Sequence, residues 1–308
     1  NSAALQFLAA HASGTTVQQS IGLGQYSWCL PRATLTLRKT SVGGTGTFGF
    51  ALTNTTQTTG TITTTAAGTP QQVDGDTSAS GTQAYLVNTI GTAITINENS
   101  LPSGWSLTGA TCTNAAGSTV GSLSGSTYTI PAGNVTNGEA FTCTFTNTRS
   151  PTLQLAKAWG PNSSAGDSAT IGATTGGSAN TSPFSTPGGT NANSGAAVNI
   201  QVGNTITLPA ETGTNIGNYN TVLSCTANGG ATANALSGTN GQVSNTLLIG
   251  AGDAGKAIVC TYTNTRRSTT FRLAKAWGAN SVAGKVASLG ATTGLTNNTA
   301  LFTSTAIS

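Results

Sequence analysis

Five lysines occur in the 308 residues, and three of them stand at equivalent places in a recurring motif. Lys39 follows Leu35 and Leu37, Lys157 follows Leu153 and Leu155, and Lys275 follows Phe271 and Leu273, each at alternate positions. Alternate residues of an extended chain share a face, so each lysine stands on an apolar side. An ammonium there must be paired, lose its charge or react. The same parity puts Glu98 with Ile94 and Ile96. It puts Asn147 with Phe141, Cys143 and Phe145, and Asn264 with Ile258, Cys260 and Tyr262. A neutral lysine amine is a nucleophile, and a protonated buried carboxyl polarises an amide carbonyl. Glu211 is out of step with Ile206 and Leu208, and Pro209 between them points to a bulge.

The elements that must position these residues follow from internal repetition. LQLAKAWGPNSSAGDSATIGATTG from Leu153 returns as FRLAKAWGANSVAGKVASLGATTG from Phe271, and TLTLRKTSVGGTGTFGF around Leu35–Phe50 opens a more divergent copy. FTCTFTNTR, ending at Arg149, returns as IVCTYTNTR, ending at Arg266. In both copies Glu stands fourteen residues before a cysteine, and Asn four after the next. The expected organisation is an N-terminal segment (1–33), a first unit (34–149), a second (150–266) and a partial third (267–308). Short alternating runs broken by turn clusters such as Val42–Gly46 predict strands, and several strands per hundred residues predict a β-sandwich. The fold class expected is all-β, tandem immunoglobulin-like or prealbumin-like sandwiches with the last one incomplete.

Composition narrows the function. Only 6 % of residues are charged, the net charge is +4, and there is one His and no Met. No basic patch interleaved with aromatics is present, which argues against a nucleic-acid partner. No apolar run reaches about 18 residues, so no membrane-spanning helix is expected. The missing Met marks a processed form or a piece of a longer chain. No cysteine pair has CxxC spacing, and no metal or cofactor is expected. Cys112/Cys143 and Cys225/Cys260 are similarly spaced and read as one disulfide per unit in an oxidising compartment. Each such loop contributes about 3–4 kcal/mol on the chain-entropy model. Cys29 is left over, its partner open.

The lysine of the first strand, Glu98 before Leu101-Pro-Ser-Gly-Trp105, and the Asn of the last-strand F-T-N-T resemble the prealbumin-like, collagen-adhesin B-type domains of bacterial surface proteins and pilins. The resemblance covers both full copies and the start of the third. It implies a spontaneous isopeptide bond between Lys and Asn with Glu assisting. The matching sets are Lys39/Glu98/Asn147 and Lys157/Glu211/Asn264. Two departures stand against it: a cysteine pair could serve as the cross-link instead, and the second copy lacks the Pro-x-Gly-aromatic turn. The ordinary alternative is structural, with the lysines paired to the glutamates or reaching solvent and the asparagines turning the chain.

The expected function is a structural subunit of an extracellular bacterial fibre or surface appendage, not an enzyme. It would assemble head to tail with copies of itself, the N-terminal segment supplying strands to the unfinished third unit. The contact residues expected are Leu5, Phe7, Leu8, Tyr26, Trp28, Phe271 and Leu273. The alternative is the stalk or binding module of a cell-surface adhesin that recognises a glycan or a host protein.

Overall fold

The computed structural model describes residues 31–175, 178–179, 184–188, 192–227, 236–268, 272–290, 292–293, 296–297 and 302–306. Leu5, Phe7, Leu8, Tyr26, Trp28, Cys29 and Phe271 lie outside the described residues. Threonine, valine and isoleucine in alternation suit a half-buried pleated surface. The described residues accordingly form short strands joined by turns, and the helical pieces among them are single 3-10 turns.

In the first unit the strands are β1 (Thr34–Val42), β2 (Thr47–Leu52), β3 (Thr59–Thr63), β4 (Gln71–Gln72), β5 (Tyr85–Leu86), β6 (Ile94–Ser100), β7 (Trp105–Thr113), β8 (Ser122–Ser124), β9 (Thr127–Ile130) and β10 (Ala140–Arg149). They make two sheets, β4-β1-β10-β7 with β5 also on β1, and β3-β2-β6-β9-β8. The first and last strands lie side by side and parallel, from Thr34 against Ala140 to Val42 against Thr148. Leu35, Leu37, Phe141 and Phe145 from one sheet and Phe48, Phe50, Ile94 and Ile96 from the other form a single buried core. Phe50 and Phe145 meet edge to face across it at 5.4 Å. Burial of this apolar surface is the main force holding the sheets together.

The second unit repeats the plan with β11 (Thr152–Trp159), β12 (Ser168–Ile171), β13 (Thr174–Thr175), β14 (Ser178–Ala179), β15 (Phe184–Pro187), β16 (Ala192–Ser194), β17 (Val198–Asn199), β18 (Thr205–Leu208), β19 (Tyr219–Ala227), β20 (Thr239–Asn240), β21 (Asn245–Leu248) and β22 (Ala257–Arg266). Its main sheet runs β16-β11-β22-β19-β20, with β17 also on β11. The other strands pair as β14-β13-β18-β21 and β12-β15. Here too the first and last strands, β11 and β22, are parallel neighbours.

In the third copy the described strands are β23 (Val286–Leu289), β24 (Thr292–Thr293), β25 (Thr296–Asn297) and β26 (Phe302–Thr305), paired only as β23 with β26 and β24 with β25. Leu273, Lys275 and Trp277 are half-buried and outside any strand, whereas their counterparts Leu155, Lys157 and Trp159 are buried on β11.

Candidate functional site

The parallel pairing of first and last strands brings Lys and Asn together in each unit. Lys39 lies opposite Phe145, and Asn147 lies opposite Ser41, so the two are diagonal neighbours on the inward face. Lys157 lies opposite Tyr262 and Asn264 opposite Trp159, the same offset. All four side chains are fully buried.

Glu98 reaches this pair from the facing sheet, on β6. Its Oε1 stands 2.8 Å from Lys39 Nζ as an ion pair and accepts a hydrogen bond from Asn147 Nδ2 at 3.0 Å. One carboxylate oxygen therefore joins the lysine amine and the asparagine amide. Lys39 Nζ meets no acceptor in aligned hydrogen-bond geometry despite the 2.8 Å approach, and Glu98 Oε2 and Asn147 Oδ1 have no protein partner either. The ammonium also lies 4.4 Å from the centroid of the Phe48 ring. Buried polar groups are nearly always satisfied, so three incompletely satisfied ones in contact are a costly arrangement. Burial pulls the Lys39 amine down to about 8, with Glu98 acting in the opposite direction.

The second centre has the same lysine and asparagine but a differently held acid. β18 ends at Leu208, and the chain through Pro209 and Ala210 leaves the ladder before Glu211. The out-of-step glutamate is thus a residue beyond a strand end rather than part of a bulged strand, and its side chain still turns inward. Glu211 Oε2 stands 3.5 Å from Lys157 Nζ, and Glu211 Oε1 accepts a hydrogen bond from the Thr221 hydroxyl. Lys157 Nζ donates to the carbonyls of Ala158 at 3.2 Å and Tyr262 at 3.3 Å and lies 4.4 Å from the centroid of the Trp159 ring. Neither amide atom of Asn264 has a protein partner. Burial pulls the Lys157 amine down to about 8 against the pull of Glu211.

Sulfur bridges flank both centres. Cys112 on β7 is bonded to Cys143 on β10, and Cys225 on β19 to Cys260 on β22, with Cα–Cα distances of 4.0 Å. In each case the two cysteines are directly opposed on neighbouring strands. The last strand of each unit is therefore tied on one side by sulfur and faces the lysine strand on the other.

Reading of the sequence alone passed over Thr221 and the Tyr262 hydroxyl. Tyr262 was signalled, since it stands where the first copy has Phe145; Thr221 shares the inward parity of Cys225, but threonine falls on both faces in this chain and does not stand out. It also passed over Asp167, which accepts hydrogen bonds from the Tyr219 hydroxyl and from Asn215 Nδ2. Among the described residues no group of three or more His, Cys, Asp or Glu could hold a metal ion.

Residues 35–149 and residues 152–266 each match a family model described as a prealbumin-like fold domain, together most of the chain. The chain belongs to the prealbumin-like fold domain family. Each prealbumin-like match spans its unit from the strand that carries the lysine to the strand that carries the asparagine. No curated protein matches the chain. Among solved structures, the tandem prealbumin-like chain is similar to a major pilin (T-13) of Streptococcus pyogenes, at 12 % identity over 77 % of this chain and 98 % of that one, with a TM-score of 0.23. It is also similar to a C-terminal fragment of the pilus adhesin SpaC of Lactobacillus rhamnosus GG, at 16 % identity over 78 % and 100 %, with a TM-score of 0.26.

Proposed function

We propose that Lys39 with Asn147, and Lys157 with Asn264, close amide cross-links, and that the chain is a load-bearing subunit of an extracellular bacterial fibre or surface appendage. The observation that carries the reading is Glu98 Oε1 in contact with both Lys39 Nζ and Asn147 Nδ2, inside the core, on the strands that begin and end the unit. In the reaction the lysine ammonium passes a proton to the glutamate, and the freed amine attacks Asn Cγ. The Nζ–Cγ bond forms and the Cγ–Nδ2 bond breaks. The carboxyl hands its proton to the departing nitrogen and takes one from the former amine. Ammonia leaves, and a buried ion pair becomes a neutral amide beside a neutral acid, which removes the cost of holding charge in an apolar core. Intact-protein mass tests this. One ammonia is lost per bond, and a mass equal to the full sequence less only the disulfide hydrogens overturns it.

A covalent tie between terminal strands suits a unit that transmits tension, and tandem units with short joints suit a stalk. No helix among the described residues is long and apolar enough to cross a membrane. The finer reading is head-to-tail assembly of copies of this chain by strand addition at the third unit. It is supported by Leu273 and Trp277, large apolar side chains that stand half-buried outside any strand. Negative-stain microscopy of the native protein should show filaments that Leu273→Asp abolishes; single particles at all concentrations would refute the assembly.

A further inference from the structure

The two centres solve one positioning problem by different means. Glu98 sits within β6, where Phe50 and the neighbouring strands fix its backbone. Glu211 has left the ladder, so other contacts must aim it. The Tyr262 hydroxyl donates to the Pro209 carbonyl at 2.9 Å. The Glu211 N–H donates to Gly241 at 3.4 Å, and Gly241 N–H in turn donates to the Thr221 carbonyl at 3.0 Å. A Cβ at Gly241 would meet Thr221 Cγ2 at 2.6 Å, so this approach needs glycine. The Thr221 hydroxyl then holds the carboxylate itself.

The first unit has no hydroxyl at either place. Asn147 faces Leu107 across the sheet, where Asn264 faces Thr221, and Lys39 faces Phe145, where Lys157 faces Tyr262. The two hydroxyls occur in the unit whose glutamate lies off its strand. We infer that Thr221 and Tyr262 are positioning residues for the second centre, aiming Glu211 at Lys157 through the Thr221 hydroxyl and the Tyr262–Pro209 bond. This rests on the reading of Lys157 and Asn264 as a bond-forming pair, and it makes closure in the second unit depend on side chains that the first unit does not use.

The test uses the full chain, unfolded under conditions that leave the cross-links unformed at the start, such as fresh synthesis followed by timed quenching. Peptide mass spectrometry counts Lys157–Asn264 and Lys39–Asn147 linkages in the same molecules. Thr221→Val should slow the second linkage about tenfold, since misaiming a catalytic group by a fraction of an ångström has effects of this order, and leave the first unchanged. Tyr262→Phe should act in the same direction, and Thr221→Ser should restore the rate. An unchanged rate in Thr221→Val, or equal slowing of both linkages, overturns the inference. If the unsubstituted chain carries no Lys157–Asn264 linkage, the bond-forming reading fails for this unit, and positioning is decided separately. Lysine-selective NMR titration then compares Asn264→Ala with Asn264→Ala/Thr221→Val. A shift of the Lys157 midpoint of about half a unit or more, reversed by Thr221→Ser, supports positioning of Glu211 through Thr221, and coincident curves refute it.

Discussion

Lys39 and Lys157 share burial, register and an aromatic neighbour, yet their hydrogen bonding differs. Lys157 spends its protons on two carbonyls, whereas Lys39 has only the close carboxylate. Each ion pair holds one titratable proton, on the ammonium, and the reactive form keeps that proton while moving it to the carboxyl. Because burial sets the amine near 8, the shared proton is lost above that pH, and with it the acid that expels ammonia. Cross-linking should therefore be flat in rate up to about pH 8 and fall about tenfold per pH unit beyond it. Tyr85 is pushed up to about 12 by burial and by Asp74, and Tyr262 higher still, so neither phenol titrates in that window. Timed mass spectrometry from pH 6 to 10 reads this directly. A rate that climbs through pH 8 would show that free amine alone is enough and that the glutamate proton plays no part. The residues of the first centre were legible because strict alternation with Leu, Ile and Phe exposes a misplaced Lys, Glu or Asn. Thr221 was not, because threonine occupies inward and outward positions alike in this chain.

At the scale of elements, alternation revealed the strands of the first and last motifs well. β1, β10, β11 and β22 each read buried at every second residue over their central runs. What it did not reveal is where a strand stops while its last functional side chain continues inward. Pro209 lacks an N–H for the ladder and ends β18, but the buried phase is recovered at Glu211 through loop contacts that have no period. In β7 the opposite happens. The register against β10 shifts between Thr146 and Asn147, and Leu107 is brought opposite Asn147 by one extra residue. This bulge has no counterpart in the pairing of β19 with β22, so equal glutamate-to-cysteine spacings in the two units cover different local geometry. The parallel neighbourhood of first and last strands was likewise invisible to periodicity, since a strand reads the same whichever way its partner runs. It is this pairing, and not the spacing along the chain, that lets residues about a hundred positions apart meet.

In the whole molecule, a pull applied to the chain would enter the first unit at Thr34, leave it at Arg149 and pass into the second at Thr152. The joint is tight. Gly255 N–H donates to the Arg149 carbonyl and Thr152 N–H to the Lys256 carbonyl, both at 2.9 Å. The turn after β1 presses on the same loop: Gly43 has φ +86, and a Cβ there would stand 2.6 Å from the Ala254 carbonyl carbon. Within the first unit a Lys39–Asn147 bond would join the loaded strands close to where Asn147 leaves the fold, so everything between the two residues carries no force. The Cys112–Cys143 loop lies inside that shielded stretch and bears load only if the amide is missing. Single-molecule pulling separates these cases. The cross-linked chain should give no unfolding step from its first unit. Asn147→Ala should give one that releases roughly 250 Å at about 3.5 Å per residue, with the 31-residue disulfide loop still closed. Reductant should then add roughly 100 Å to the Asn147→Ala step and nothing to the cross-linked chain. A full-length step in the unsubstituted protein would mean that the terminal strands part under load and that sulfur alone holds the unit.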